Sequence, residues 1–426
     1  MAEMIAGGRN MAAWKQKVNR WERRGVRPEI DAQYALAQNL GIPRSIVDQH
    51  PWPGWLCMAT GSDPYLDLPW TAESARTTLV GALSAYTDRR GFLTLTGAAA
   101  LAHVAPAWAE PWRLAPQEKI ADAVQGGRVD AEVLKAIKRR LVELWTLDDV
   151  IGGYRCAELA NADLRLVTDM LKRGSHSESV ETQLYTLAAG LCRSAGWGMF
   201  DADRHAAAER YWRAGLRAAH QGKTPDEAAY LLSNMALQFN FARDGKSAID
   251  ALDGARKIIG HDGSRAVHAM LDAWQVRSHA VLQEPEAATR TLGRADEYWD
   301  RRDPHRDPDW IYWMRRPSET IEANMAMVEV KRTGSTETHL LRWIDVDGAR
   351  YSRDRAFALT VIACAQLTEG DLDKALATGR AAVHALRGVE SGRIADELGK
   401  FTRRLPRNEP RTKRFLDEIN DAEAEG

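Results

Sequence analysis

A cluster of basic side chains near the amino end is the feature of this sequence most suggestive of a specific chemistry. Between positions 9 and 27 there are seven basic residues and a single acid, Glu22, so this stretch carries a local charge of +6 although the whole chain has a formal net charge of −1. The basic residues are Arg9, Lys15, Lys17, Arg20, Arg23, Arg24 and Arg27. Such a cluster is either a solvated helix face or a surface that attracts a polyanion.

Residues that could perform catalysis or hold a metal do not form a recognisable motif. His261 and His268 lie seven positions apart with Asp262 as the only carboxylate between them, which favours two helix-surface or helix-end histidines over a metal site. Asp148 and Asp149 are adjacent acids that we expect at a solvent-exposed helix end. The sequence has no phosphate-binding glycine motif and no serine-nucleophile motif. We therefore predict that the chain is not an enzyme and uses neither a cofactor nor a metal.

The cysteines and the hydropathy pattern indicate a cytoplasmic location. Cys57, Cys156, Cys192 and Cys364 are too widely spaced to suggest a disulfide framework. No apolar stretch reaches the ~18 residues that a transmembrane helix needs. A composition of 45% hydrophobic and 27% charged residues is that of an ordinary soluble protein. We expect no membrane partner.

Helical periodicity organises the first sixty residues. Trp14, Val18 and Trp21 share one helix face and are followed by Gly25, a typical helix end. A second helix is predicted over roughly residues 29–40, with Gly41 ending it, and a third short helix over about 44–49. The basic cluster is therefore predicted to lie on and beside the first of three helices.

This stretch resembles the helix-turn-helix module of the Xre, or lambda-repressor-like, DNA-binding family. The resemblance rests on Val18-Asn19-Arg20-Trp21-Glu22-Arg23 with Gly25, and on Ala37 and Leu40-Gly41-Ile42. It implies that Lys15, Gln16 and Arg20 face the major groove of double-stranded DNA. It also implies that Asn19, Arg23 and Arg24 lie nearer the phosphates. Dimerisation is expected, because one such module reads few base pairs.

The resemblance has a departure that keeps a second hypothesis open. Only residues 1–6 precede the Gly7-Gly8 turn, so the first helix of the family pattern is missing. The alternative is therefore a vestigial DNA-binding module, a basic helical hairpin attached to a protein-interaction scaffold.

A linker and a connector are predicted to follow this module. Residues 57–86 contain several glycines and prolines and are interpreted as a linker. Arg89, Arg90 and the apolar run to Ala109 look like a twin-arginine export signal, which would favour an exported enzyme. Their position far inside the chain instead favours a buried helix over 92–104 within connector helices that span 87–130.

A small-residue pattern recurs in the rest of the chain at intervals of about 40. Its copies are Ala207/Tyr211/Ala214, Ala248/Leu252/Ala255, Ala288/Leu292/Ala295 and Ala375/Gly379/Ala382. Twelve positions before each first alanine stand Ala195, Ala236, Val276 and Ala363. Small residues at such places let paired helices approach closely and stack on the next pair.

This pattern resembles the tetratricopeptide repeat with longer helices, and HEAT-like repeats are the second structural alternative. The predicted fold is therefore all-α: a short helix-turn-helix module over 1–56 and an α-solenoid of tetratricopeptide-like helix pairs over 131–426. The stretch from Trp197 to His220 completes a resemblance to actinobacterial Xre-type regulators that carry a carboxyl-terminal tetratricopeptide array.

The first helix of each pair is expected to line the concave side of such an array. The predicted ligand-binding residues are Tyr230, Ser233, Asn234, Asn240 and Arg277. Amide and guanidinium groups in a groove can bind the backbone or carboxylate of a peptide. The resemblance implies a peptide, a small effector or a protein partner there, and a DNA-binding transcriptional regulator as the function.

Overall fold

The computed structural model describes residues 28–39, 44–49, 70–85, 117–151, 153–348, 352–386 and 392–424. Within these ranges the secondary structure is helical, and no strand occurs apart from an isolated bridge between Arg128 and Ser175. This confirms the all-α prediction. The predicted DNA contacts Lys15, Gln16, Asn19, Arg20, Arg23 and Arg24 lie outside the described residues, as does the segment 87–109.

The helices are named here in chain order. The amino-terminal ones are α1 (Ile30–Asn39), α2 (Arg44–Gln49), α3 (Ala72–Ala85), α4 (Gln117–Val124), α5 (Ala131–Ile151) and α6 (Gly153–Arg173). The middle ones are α7 (Glu178–Asp201), α8 (His205–Gly222), α9 (Pro225–Phe241), α10 (Gly245–Ile259), α11 (Arg265–Val281) and α12 (Pro285–Asp300). The last ones are α13 (Ile321–Glu329), α14 (Thr336–Asp347), α15 (Ser352–Glu369), α16 (Leu372–Leu386), α17 (Gly392–Arg404) and α18 (Pro410–Ala424).

Consecutive helices pack as pairs, and the pairs follow one another in series. The most extensive contacts are those of α7 with both α8 and α6, of α9 with α10, of α11 with α12, and of α15 with α16. The first helix of one pair also contacts the first helix of the next, from α7 through α9, α11 and α13 to α15. These first helices therefore form a continuous inner layer.

A left-handed residue ends the first helix of these pairs at a regular interval. Asp203, Arg243 and Gln283 have φ values of 61°, 64° and 60°, and successive residues of this set are 40 positions apart. Lys331 and Gly370 occupy the same kind of turn after α13 and α15. Left-handed backbone is unfavourable for residues with a Cβ, so its recurrence indicates a turn imposed by the packing of the helices.

Most small residues of the repeat pattern lie between the helices, whereas Ala207 of the first copy is only partly buried. Ala248, Ala288 and Ala375 are fully buried, as are Ala195 and Ala236 on the preceding helices. Their small size allows the backbones to approach, and burial of the apolar surface stabilises each pair.

Part of the predicted linker is helical. Residues 72–85 form α3, where Ala75, Leu79 and Ala82 are buried against α8. The prediction relied on the glycines and prolines of 57–69, whereas the helical spacing of these three apolar residues determines the structure of the following stretch.

A non-α segment separates α12 from α13. Three prolines interrupt residues 301–320, which form 3₁₀ turns at Pro304–Arg306, Asp309–Trp313 and Pro317–Glu319. Trp310 and Trp313 from the middle turn join the apolar core beside Trp274. None of the helices in the described ranges combines the length and the apolar character that crossing a bilayer requires.

Candidate ligand-binding site

A cavity of about 190 Å³ lies between the inner helices and the 3₁₀ segment. Its walls come from α5, α7, α9 and α11 on one side and from α13, α14 and α15 on the other. Six of the fifteen tryptophans of the chain line it: Trp145, Trp197, Trp274, Trp310, Trp313 and Trp343. A concave, largely aromatic cavity with a few polar groups has the character of a small-molecule site.

The 3₁₀ turn explains how two of these tryptophans reach the same wall. Residues i and i+3 are eclipsed in a 3₁₀ turn, so Trp310 and Trp313 point to the same side of Asp309–Trp313. The Trp310 ring lies 4.4 Å from the Tyr230 ring, and the Trp313 ring stacks on Trp274 at 6.0 Å between centroids. The segment therefore contributes a flat aromatic surface to the wall.

A buried arginine stands behind this surface. Arg193 on α7 donates from Nε to Oε1 of Glu227 at 2.7 Å, and both residues are less than a tenth exposed. Its guanidinium also lies 4.6 Å from the centroid of the Tyr230 ring and 5.2 Å from that of Trp145. Burial opposes the charge, but the carboxylate of Glu227 outweighs it and raises the pKa of Arg193. Arg193 is therefore a permanent cation among the aromatic rings.

Burial also raises the pKa of the Tyr230 hydroxyl, to about 12, although the nearby Arg193 acts in the opposite direction. Tyr230 is therefore a neutral hydroxyl at physiological pH.

A second arginine joins two parts of the array that are distant in the sequence. Arg353 on α15 donates from Nη2 to Oδ2 of Asp148 on α5 at 3.1 Å, and it lies 3.8 Å from Asp201 on α7. Burial opposes its charge, but Asp148 and Asp201 outweigh the burial and raise its pKa well above the ordinary value. The sequence led us to expect a solvent-exposed Asp148. Its side chain is instead 16% exposed and paired, and burial raises its pKa although Arg353 opposes the shift.

A close helix crossing holds these acids near each other. Gly198 on α7 faces Gly153 at the start of α6, and a Cβ on Gly198 would lie 2.0 Å from the Gly153 carbonyl oxygen. Only glycine permits this approach, which positions the end of α7, with Asp201, against the junction of α5 and α6.

Several buried polar atoms of the residues that line the cavity lack a hydrogen-bond partner. Within the described part of the chain, Trp145 Nε1, Trp274 Nε1 and Arg193 Nη2 are buried without a hydrogen-bond partner, as is the acceptor Asp148 Oδ1. Buried donors normally find acceptors. The cavity thus offers aromatic faces, and its wall contains buried N–H donors whose hydrogen bonds are unmade among the described residues.

A second cavity, of about 470 Å³, lies between α9, α11, α13, α15 and α17. Five basic and two acidic side chains line it: Arg243, Arg277, Lys400, Arg403, Arg404, Glu329 and Glu397. The two cavities share α11 as part of their lining. Trp274 lines the first cavity and Arg277, one turn further along the helix, lines the second.

The structure divides the predicted ligand-binding residues between the two cavities. Tyr230 and Asn234 line the aromatic cavity, and Asn240 and Arg277 line the basic one. Ser233 lines neither: it is fully buried and donates to the Tyr230 carbonyl at 2.7 Å. Sequence reasoning missed Arg193 and Arg353. An arginine inside a largely apolar stretch was a signal for Arg193, whereas Arg353 stands in the polar first turn of α15 and gave none.

No group of three or more metal-ligating side chains occurs among the residues that the structure describes. Comparisons with protein-family models, with curated proteins and with solved structures find no match for this chain.

Proposed function

We propose that this chain is a ligand-responsive transcriptional regulator. In this proposal the aromatic cavity binds a small, planar, uncharged or anionic organic molecule, and the basic segment within residues 1–56 binds double-stranded DNA. The observation that carries the proposal is the aromatic cavity itself, whose two walls come from distant parts of the chain. Such a regulator acts in the cytoplasm, where its DNA is.

The arginine already placed among the aromatic rings favours a planar ligand that is not a cation. Aromatic cages commonly bind ligand cations over the ring faces. Here Arg193 already occupies that position between Tyr230 and Trp145, and Arg353 adds a second buried guanidinium. A cationic ligand would compete with Arg193 for the ring faces, whereas a carbonyl or carboxylate oxygen would accept from N–H groups of the wall. The net charge of the lining does not decide the matter, because its three basic side chains are balanced by three acidic ones, Asp148, Glu322 and Asp354.

The position of the cavity suggests how ligand binding reaches the DNA. A molecule between α5 and α15 touches elements that are joined by the Arg353–Asp148 pair. Ligand that binds one arrangement of these walls more tightly shifts the population toward it. In a homodimer, that shift would change the spacing of the two DNA-binding modules.

The helix pairs and their recurring turns support a tetratricopeptide-like solenoid as the sensor architecture. The 40-residue interval between turns also suits HEAT-like repeats. Both architectures present an inner layer of first helices, which is the surface that the proposal uses.

Ligand binding is tested by tryptophan fluorescence, because six tryptophans line the cavity. The probes are a planar aromatic carboxylate, a neutral heteroaromatic amide and tetramethylammonium. We expect the first two to quench the emission saturably and the third to have no effect.

Tyr312→Ala removes a half-exposed ring that stacks on Trp145 at 6.1 Å and should weaken binding about tenfold. Tyr298→Ala, which removes a ring stacked on His268 away from the cavity, is the matched control. Preferential binding of tetramethylammonium would contradict the proposed ligand class.

DNA binding is tested by gel shift with the DNA upstream of the coding region of this protein, at two salt concentrations. We expect salt-dependent binding by the wild type and a loss in the Gln16→Ala, Arg20→Ala double variant. The ligand found by fluorescence should change the affinity of the wild type. If both proteins bind equally weakly at both salt concentrations, the regulator proposal is wrong and the scaffold with a vestigial module replaces it.

A further inference from the structure

The basic cavity carries an inference of its own, which does not depend on the aromatic cavity or on DNA binding. We propose that it is a binding site for a small phosphate-type dianion, such as the phosphoryl group of a phosphorylated metabolite, with Arg277 as its central ligand.

Arg277 is a buried cation whose hydrogen-bonding capacity is not engaged. Its side chain is 4% exposed, and its Nε has no hydrogen-bond partner among the described residues. The nearest carboxylate oxygens, of Glu329 and Glu397, lie 3.8 and 3.9 Å from its terminal nitrogens, beyond hydrogen-bond distance. A guanidinium has five N–H donors, and burying them without acceptors is costly.

The two acids of the cavity are bonded to other cations instead. Glu329 accepts a hydrogen bond from Arg243, and Glu397 accepts one from Lys400 at 2.6 Å. Their charges are therefore shared with the rim of the cavity rather than concentrated on Arg277. The remaining contact of its guanidinium is the face of Phe241, 5.3 Å away, which supplies no acceptor atom.

The cavity has an excess of positive charge at its mouth. Arg403 and Arg404 end α17 and are exposed, and Lys400 lies one turn before them. Five cations and two acids line the cavity, and Asp396 beside it pairs with Lys400 and Arg403, so the local net charge is +2. This excess matches a ligand that carries two or more negative charges, and a guanidinium can bind two oxygens of a phosphoryl group at once. A monocarboxylate would leave half of the excess uncompensated.

The size and position of the site suit a small metabolite. A volume of about 470 Å³ falls within the ordinary range for ligand sites. Five helices contribute to the lining, so a bound anion would hold α11 and α17 together.

The test is isothermal titration of the full chain with inorganic phosphate, pyrophosphate and acetate at constant ionic strength. We expect saturable binding of phosphate and tighter binding of pyrophosphate, with acetate at least tenfold weaker than phosphate. Arg277→Gln removes the buried charge at nearly constant volume and should weaken pyrophosphate binding at least about tenfold. Arg355→Gln, an exposed arginine on α15 outside both cavities, is the matched control and should bind as the wild type does.

A second variant keeps the test decisive if Arg277→Gln does not fold. Arg403→Gln with Arg404→Gln changes two exposed side chains and should weaken pyrophosphate binding severalfold while reducing its salt dependence. The proposal is overturned if the wild type shows no saturable binding up to about 10 mM pyrophosphate. It is also overturned if acetate binds as tightly as phosphate, or if both the Arg277 variant and the rim variant bind unchanged.

Discussion

Arg353 and Asp148 are 205 positions apart in the sequence, and Nη2 of Arg353 lies 3.1 Å from Oδ2 of Asp148. Asp201 lies 3.8 Å from the same guanidinium. This ion cluster brings α15 against α5 and α7, and it forms part of the wall of the aromatic cavity. Arg353 therefore links two distant parts of the array directly.

Replacing this arginine should destabilise the protein strongly. Arg353→Gln leaves the buried carboxylates of Asp148 and Asp201 without their cation, at a cost of about 3–5 kcal/mol in the free energy of unfolding. Urea unfolding followed by circular dichroism measures the loss. Arg355→Gln on the same helix, where the side chain is exposed, should change the free energy by less than about 0.5 kcal/mol. A similarly small loss for Arg353→Gln would show that the cluster does not hold α15 against α5 and α7.

The crossing of α6 and α7 should not tolerate a methyl group. Gly198→Ala places a Cβ 2.0 Å from the Gly153 carbonyl oxygen, so the helices must separate, at a cost of about 1–3 kcal/mol. Gly293→Ala is the matched control, because a Cβ there meets nothing within 4 Å on the exposed side of α12. This control should gain about 0.5–1 kcal/mol through helix propensity. Equal effects of the two substitutions would contradict the close approach.

Glycine at position 283 should relieve the backbone strain of the left-handed turn. With φ at 60°, a residue with a Cβ is strained by about 1–2 kcal/mol. Gln283→Gly and Gln283→Ala both lose the hydrogen bond from Nε2 to the Ala280 carbonyl, and only glycine relieves the strain. Thermal unfolding should show the glycine variant about 1 kcal/mol more stable than the alanine variant. An alanine variant as stable as the glycine variant would rule out strain at this turn.

The stability of the protein should fall in mild acid, partly through His268. Burial lowers the pKa of this histidine below its ordinary 6.5, although the Gly260 carbonyl, which accepts from Nε2 at 3.0 Å, and the charge of Asp272 oppose the shift. The imidazole of His268 binds its proton at a higher pH in the unfolded chain than in the folded one. The contribution of neutral His268 to the free energy of unfolding is therefore lost as the pH falls below 6.5.

Urea unfolding at about pH 7.5 and about pH 5.5 measures this difference. His268→Gln should reduce the pH dependence, whereas His305→Gln, at an exposed position, should leave it unchanged. The same pH dependence in all three proteins would show that His268 does not contribute.

The repeat pattern allowed much of the fold to be predicted, because its information is local. Ala248 and Ala288 mark the faces where neighbouring helices meet, and both are buried as expected. The turn at Arg243 was also predictable from its sequence. Tyr230 and Asn234 were assigned to the inner surface, and they line the aromatic cavity.

The pairing of residues across the cavity was not predictable in the same way. Arg353 finds Asp148 only because the accumulated rotation of the intervening helices returns α15 to α5, and no short stretch of sequence specifies that rotation. Trp310 illustrates a second limit. The prolines of residues 301–320 indicate an interruption of the helices. The part that Trp310 takes in the cavity wall depends on which helices the 3₁₀ turn meets in the fold.

The contact between α15 and α5 also fixes how many helix pairs this chain can contain. Repeat arrays commonly gain or lose whole units by duplication, because each unit touches only its neighbours. Here an added 40-residue unit between α7 and α15 would carry Arg353 past Asp148 and separate the walls of the cavity. The contact of α15 with α5 therefore constrains the number of helix pairs in this array. A duplicated or deleted pair should abolish the cavity even if every remaining helix still folds.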